Sequence, residues 1–163
     1  MAFTHPQITV NAEAEARARA DVRSATSLGP VSNENEAAKD HFKQADGVRF
    51  AGSHLIVDMW DAQHLDDPEV LRSAMIDAVN AAGATLLHIH LHRFTPYGGV
   101  SGVAVLAESH ISVHTWPENG YAAFDIFMCG DAEPTRAADV LNEALRPGRT
   151  ETFEHRRGVI PSQ

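Results

Sequence analysis

The chain has 163 residues, enough for one domain with a substantial core. Its formal net charge of -9, from 22 acidic and 13 basic residues, argues against a nucleic-acid backbone or an anionic membrane as the main partner. No apolar run approaches a membrane span, residues 1–23 lack a secretory-type apolar core so that a cytoplasmic location is expected, and a single cysteine makes neither an internal disulfide nor a cysteine zinc site.

Residues 1–48 are rich in Ala, Glu, Asn, Asp and Arg and poor in aliphatic clusters. They read as a polar extension ahead of a domain spanning 49–163. Within the extension, Ala12 to Arg23 suits a short polar helix and Leu28 to Asn33 a turn or linker. Such a segment is either mobile or packed on the domain, where it would cover a site. Ser53 to Trp60 predicts the first strand of the domain. Asp66 or Asp67 then caps a helix with Pro68 in its first turn; Leu71, Met75, Ile76 and Val79 recur at helical spacing, and Gly83 ends the run. Ala84 to Phe94 reads as a strand, with Leu87, Ile89 and Leu91 pointing one way and His88, His90, His92 and Phe94 the other. Pro96 to Gly99 is a turn. Val100 to Leu106, His110 to Thr115 and Tyr121 to Met128 predict three more strands. Pro134 to Leu145 predicts a second helix with Ala137, Ala138, Leu141 and Leu145 on one face, and Thr150 to Arg156 a final strand. This order predicts an α+β two-layer sandwich, a mostly antiparallel sheet with two helices on one face. The second face, carrying His and aromatic residues, is left for solvent or a partner subunit.

The most informative stretch joins two of these strands. Ala107-Glu108-Ser109-His110-Ile111-Ser112-Val113-His114-Thr115-Trp116-Pro117-Glu118 is followed by Cys129, the only cysteine. A lone cysteine is more often a small buried hydrophobe than a catalyst. A serine, a histidine five residues on and a thiol twenty residues on would nevertheless suit a backbone that cuts itself and then does chemistry at the cut. The serine hydroxyl attacks the preceding carbonyl, turning the amide into an ester. A base removes the serine α-proton and the ester leaves as a carboxylate; the dehydroalanine that remains loses ammonia by hydrolysis and leaves a ketone at the new chain end. This needs a strained Glu-Ser turn, an oxyanion donor and a base. His114, on the strand after the turn, is expected to fold back toward Ser109, and Ser101, eight residues before, to approach it across a hairpin.

The run from Gly102 to Glu118, continued by Gly120 to Gly130, resembles the processing region of bacterial and archaeal S-adenosylmethionine decarboxylases in order and spacing. His92-Arg93-Phe94, the Pro96 to Gly99 turn, His54-Leu55 and Gly83-Ala84-Thr85 extend the likeness to about residues 52–158. The resemblance implies that Glu108–Ser109 is the bond cut, giving chains 1–108 and 109–163, that Ser101 and His114 assist processing, and that Cys129 protonates the product carbon. It implies a pyruvoyl cofactor made from Ser109, S-adenosylmethionine as substrate within spermidine synthesis, and a homodimer of cleaved protomers. It also implies stacking of adenine by Phe94 and Trp116, a ribose contact by Glu118 and, at Ile111, an apolar wall whose backbone could hold the substrate. Without the motif, Phe94 and Trp116 would read as core or interface packing.

Three departures stand out. Gly98-Gly99 has one glycine more than the Pro-x-Gly-Val-Ser pattern of the family, Met128 replaces a small polar residue, and the N-terminal extension is absent from compact members. An altered loop beside Phe94 keeps open the same chemistry on L-arginine or L-ornithine. A non-cleaving binding homologue is the third reading, and would not need Cys129. No metal is expected: His88, His90 and His92 are spaced along one strand without Cys, Asp or Glu among them.

Overall fold

The computed structural model describes residues 41–160. The expected helix at Ala12 to Arg23 and turn at Leu28 to Asn33 lie outside the described residues. The described chain opens with a hairpin, β1 (Lys43–Ala45) and β2 (Val48–Phe50). Its two-residue loop, Asp46-Gly47, takes positive φ at both positions, 52° and 74°, as a tight antiparallel hairpin needs. Residues 43–45, which composition assigns to the polar extension, thus pair with residues 48–50.

Six further strands form one sheet: β3 (Gly52–Trp60), β4 (Leu86–Arg93), β5 (Val100–Leu106), β6 (Ser109–Trp116), β7 (Tyr121–Met128) and β8 (Arg149–Arg157). The spatial order is β4-β5-β6-β7-β3-β8 and every neighbouring pair is antiparallel. Helices α1 (Pro68–Ala81) and α2 (Pro134–Leu145) complete the expected α+β sandwich. Asp67, not Asp66, caps α1, its carboxylate accepting from the Glu69 and Val70 amides at 2.9 and 3.2 Å, with Pro68 at the first helical position where no amide is needed. Asp66 instead meets Arg93, whose Nε donates to the Asp66 carbonyl at 2.9 Å. Among the described residues no helix is long and apolar enough to cross a membrane.

The alternation of β3, β6 and β7 decides which face the helices cover. Leu55, Val57 and Met59, Ile111 and Val113, and Phe124, Ile126 and Met128 are buried against Leu71, Met75 and Val79 of α1 and Leu141 and Leu145 of α2. Burial of each such side chain is worth about 1.5–3 kcal/mol. Met128 is fully buried there, so this departure from the family pattern serves the core. Leu87 corrects a sequence expectation. The β4–β5 register slips between Leu86 and His88, and the extra residue turns Leu87 out to 64% exposure, while Leu86, Ile89 and Leu91 pack on the core.

The other face of the sheet carries His54, Ile56, Asp58 and Trp60 of β3, the alternates of its buried residues, and the matching rows of the neighbouring strands. Polar side chains there satisfy one another. His54 Nε2 lies 3.3 Å from Asp125 Oδ1, Ser112 donates to Asp125 Oδ2 at 3.2 Å, and Arg157 Nη1 lies 3.1 Å from His54 Nδ1. Burial, and then the neighbouring His54, lower the pKa of His110 and so favour its neutral form. Tyr121 donates to Asp58, a bond that pushes the phenol up to about 12, and Tyr121 stacks between Trp60 and Trp116 at 5.7 and 5.3 Å.

Candidate active site

The sequence-predicted site residues fall into two groups at opposite ends of β6. The first surrounds the β5–β6 turn. Leu106 pairs with Ser109, so Ala107 and Glu108 alone make the loop, and Glu108 sits at φ 63°. That left-handed conformation costs an ordinary L-residue about 1–2 kcal/mol. The Ala107 amide is held by the Thr85 carbonyl at 2.9 Å. Ser109 is 8% exposed, and its Oγ accepts from the Cys129 amide at 3.1 Å. Cys129 follows the last residue of β7 and is half-buried. Burial pushes its thiol pKa up, the Glu108 carboxylate pushes it further, and Lys43 opposes them. The thiol therefore keeps its proton beyond the ordinary range. His41 Nδ1 lies 2.6 Å from Glu108 Oε2, a contact that sequence spacing did not point to.

The second group lines a cleft of about 240 Å³ formed by Phe94, Tyr97, Gly99, Ser101, His114, Trp116 and Glu118, with neighbouring residues. Ser101 and His114 are cross-strand partners, and Ser101 Oγ shares a 2.8 Å hydrogen bond with His114 Nδ1. Phe94 and Trp116 are half-exposed rather than core residues. Trp116 lies 6.3 Å from the His114 ring and Phe94 lies 4.6 Å from the His92 ring. Glu118 stands in the 3₁₀ turn, Pro117–Asn119, that follows β6. The buried Thr115 hydroxyl fastens this end, accepting from the Val100 amide and donating to the Leu65 carbonyl, both at 2.7 Å.

Both glycines of the longer turn have work to do. Gly98 takes φ 79°, and a Cβ on Gly99 would come within 2.7 Å of the Thr115 carbonyl. Since that oxygen belongs to β6 backbone, Gly99→Ala is expected to lower stability by roughly 1–3 kcal/mol, read as a lower thermal midpoint. An unchanged midpoint would show that the loop accommodates the methyl.

Three expectations are corrected by this geometry. His114 does not fold back to Ser109, because β6 is continuous between them: five residues of strand span roughly 17 Å, and an odd separation puts the two on opposite faces. Ser101 does not approach Ser109 either, because the register matches it to His114. The Ile111 side chain is fully buried in the core beneath the sheet and forms no wall of the cleft. Sequence reasoning also missed Tyr97 in the cleft and Tyr121 beside Trp116. Among the described residues, no three His, Cys, Asp or Glu side chains converge as a metal ion would require.

The fold and site define a two-layer α+β protein with a hydroxyl–amide contact at a strained hairpin tip and an aromatic cleft at the far end of the same strand. Comparison with known proteins narrows this class. Residues 53–158 match the family model described as S-adenosylmethionine decarboxylase. The S-adenosylmethionine decarboxylase proenzyme of Thermomicrobium roseum is 47% identical over 114 residues, covering 69% of this chain and 98% of that one. The proenzyme of the same name from Methanococcus maripaludis strain S2 is 46% identical over 116 residues, covering 69% and 94%. The crystal structure of the adenosylmethionine decarboxylase of Aquifex aeolicus superposes with a TM-score of 0.61 at 34% identity, covering 70% of this chain and 96% of that one. The chain belongs to the S-adenosylmethionine decarboxylase family. It is a decarboxylase, an enzyme whose family is pyruvoyl-dependent.

Proposed function

We propose that Ser109 cuts the Glu108–Ser109 bond, and that a second copy of the chain completes the site in which S-adenosylmethionine loses carbon dioxide. The observation that carries this reading is the hairpin tip itself. Glu108 is held at φ 63°, and the next residue presents its hydroxyl beside the Cys129 amide at 3.1 Å. Strain in the scissile turn favours a step that releases it. The Cys129 N–H suits an oxygen on residue 109, so the residues present fit a pyruvoyl group at that position. That group would supply the ketone that engages the substrate amine and takes up the electrons left by carbon dioxide.

Where the residues stand supports the remaining roles. Cys129, with its thiol pKa raised by burial, is suited to deliver a proton to the α-carbon of the product. Phe94 and Trp116 are open enough to take a flat adenine and to favour the positive sulfonium beside it, and Glu118 at the cleft edge suits the ribose hydroxyls. His114, oriented by Ser101, suits removal of the Ser109 α-proton, yet within one chain it is roughly 17 Å from it. A homodimer resolves this. A two-fold axis between two sheets, perpendicular to β6, would stack the uncovered faces with β6 reversed. The Ser109–Cys129 end of each protomer would then meet the partner's Ser101–His114 end. The half-exposed Val105 and Phe153, together with Ile56 and Phe127 on the same face, supply apolar surface for such a contact.

Intact mass spectrometry after cyanoborohydride reduction, with S-adenosylmethionine, L-arginine and L-ornithine offered separately, tests the reading. A fragment 109–163 carrying a reduced adduct from S-adenosylmethionine alone is the expected result. An adduct from arginine or ornithine would reassign the substrate, and one uncut chain would leave the binding homologue. Cys129→Ala is expected to yield the fragment but to turn over at least a hundredfold more slowly, within the range for loss of a general acid. Because the raised thiol pKa keeps the proton in place at neutral pH, wild-type kcat should show an alkaline limb above the ordinary thiol range. That limb should be missing in Cys129→Ala. Normal turnover by the variant would remove Cys129 as the acid.

A further inference from the structure

The family match begins at Ser53, yet residues ahead of it hold both flanks of the hairpin tip. His41 Nδ1 meets the Glu108 carboxylate at 2.6 Å. The carbonyl of the same residue accepts from the Gly130 amide at 2.8 Å, one position past Cys129. Two residues further on, Lys43 Nζ donates to the Ala132 carbonyl. The hairpin that carries these contacts is anchored at its other end. Arg156 Nη2 meets Asp46 Oδ2 at 2.5 Å, and the Ile160 amide donates to the Arg49 carbonyl at 2.8 Å. Strand β1 and the residues just before it thus form a strap tied to residue 108 on one side and to residues 130 and 132 on the other.

We propose that His41 is a positioning residue for self-cleavage. By holding the Glu108 side chain it keeps this residue in the left-handed turn from which its carbonyl carbon is presented to Ser109 Oγ. The proposal rests on the reading that Glu108–Ser109 is the bond cut. Left-handed backbone is disfavoured for glutamate, and the two-residue loop is restrained by the flanking ladder, the Ala107–Thr85 hydrogen bond and the Glu108 side chain. Attack by a hydroxyl on a neighbouring carbonyl is sensitive to small misplacements. The His41–Glu108 pair is half-exposed on both sides, where such a contact adds little to global stability. The contact should therefore act on the rate of cleavage more than on folding.

The test uses the full chain made by cell-free translation. Release of fragment 109–163 is followed by intact mass in the wild type, His41→Ala, His41→Gln, Glu108→Gln and the His41→Ala/Glu108→Gln double variant, with melting temperatures measured alongside. The expected result is a cleavage rate at least fivefold lower in His41→Ala, largely restored in His41→Gln, whose amide can still donate to the carboxylate. In the Glu108→Gln background, His41→Ala should slow cleavage by less than twofold. Cleavage of His41→Ala at the wild-type rate overturns the proposal. So does a slow His41→Ala that His41→Gln fails to rescue and that melts lower, because the strap would then be structural only. Failure of the wild type to release the fragment is a separate result, and it removes the cleavage reading on which the proposal stands.

Discussion

Ser109→Ala is expected to remain a single chain of 163 residues with no decarboxylase activity. Among residues 106–109 of the hairpin, Ser109 alone carries a hydroxyl, and the variant loses it. Ser101 and Ser112 lie along the strands, away from the Glu108 carbonyl, in bonds to His114 and Asp125. Without a nucleophile the amide cannot become an ester, and without an ester neither the new chain end nor the ketone forms. Folding should be little affected. The site is buried, alanine fits within the volume of serine, and the loss is one acceptor for the Cys129 amide, worth about 1 kcal/mol. Intact mass of the purified variant gives the answer, with circular dichroism to confirm its fold. Appearance of fragment 109–163 in this variant would sink the assignment of Ser109.

The second large effect tests the shared site. His114→Ala alone should be cut at least a hundredfold more slowly, in line with loss of a proton-transferring group. Mixed with Ser109→Ala during folding, it should recover. In a dimer of one chain of each kind, the intact Ser109 of the first meets the intact His114 of the second, while the other site lacks both. Random pairing makes about a quarter of all sites complete. The released fragment must come from the His114→Ala chain and is identified by its mass. Recovery is what the separation of Ser109 and His114 along β6 demands. If the mixture cleaves no better than His114→Ala by itself, each chain builds its own site and the stacked-sheet dimer is wrong.

The elements and the core were largely legible in the sequence. Strand alternation, the Pro68 and Pro134 helix starts and the Gly83 stop are encoded within a few residues, and local chemistry suffices to read them. The β4 bulge was not legible, because nothing local distinguishes Leu86 from Leu87 until β5 sets the register. Nor was the choice between Asp66 and Asp67 at the cap, which depends on Arg93 taking the first. Met128, which stands out in the motif, is explained only by the face on which β7 places it.

The site divides along the same line. By itself the sequence determined the family, the Glu-Ser bond at a turn, and which side chains are candidates for acid, base and stacking chemistry. These are properties of residue types in a fixed order. Only the tertiary structure decided which of them meet. Cross-strand register joined Ser101 to His114 and parted both from Ser109, and the approach of a segment far away in the chain placed His41 on Glu108. Spacing along a chain gives the distance between two residues only while the backbone stays in one element. Across a hairpin or a long connection, register and packing set it.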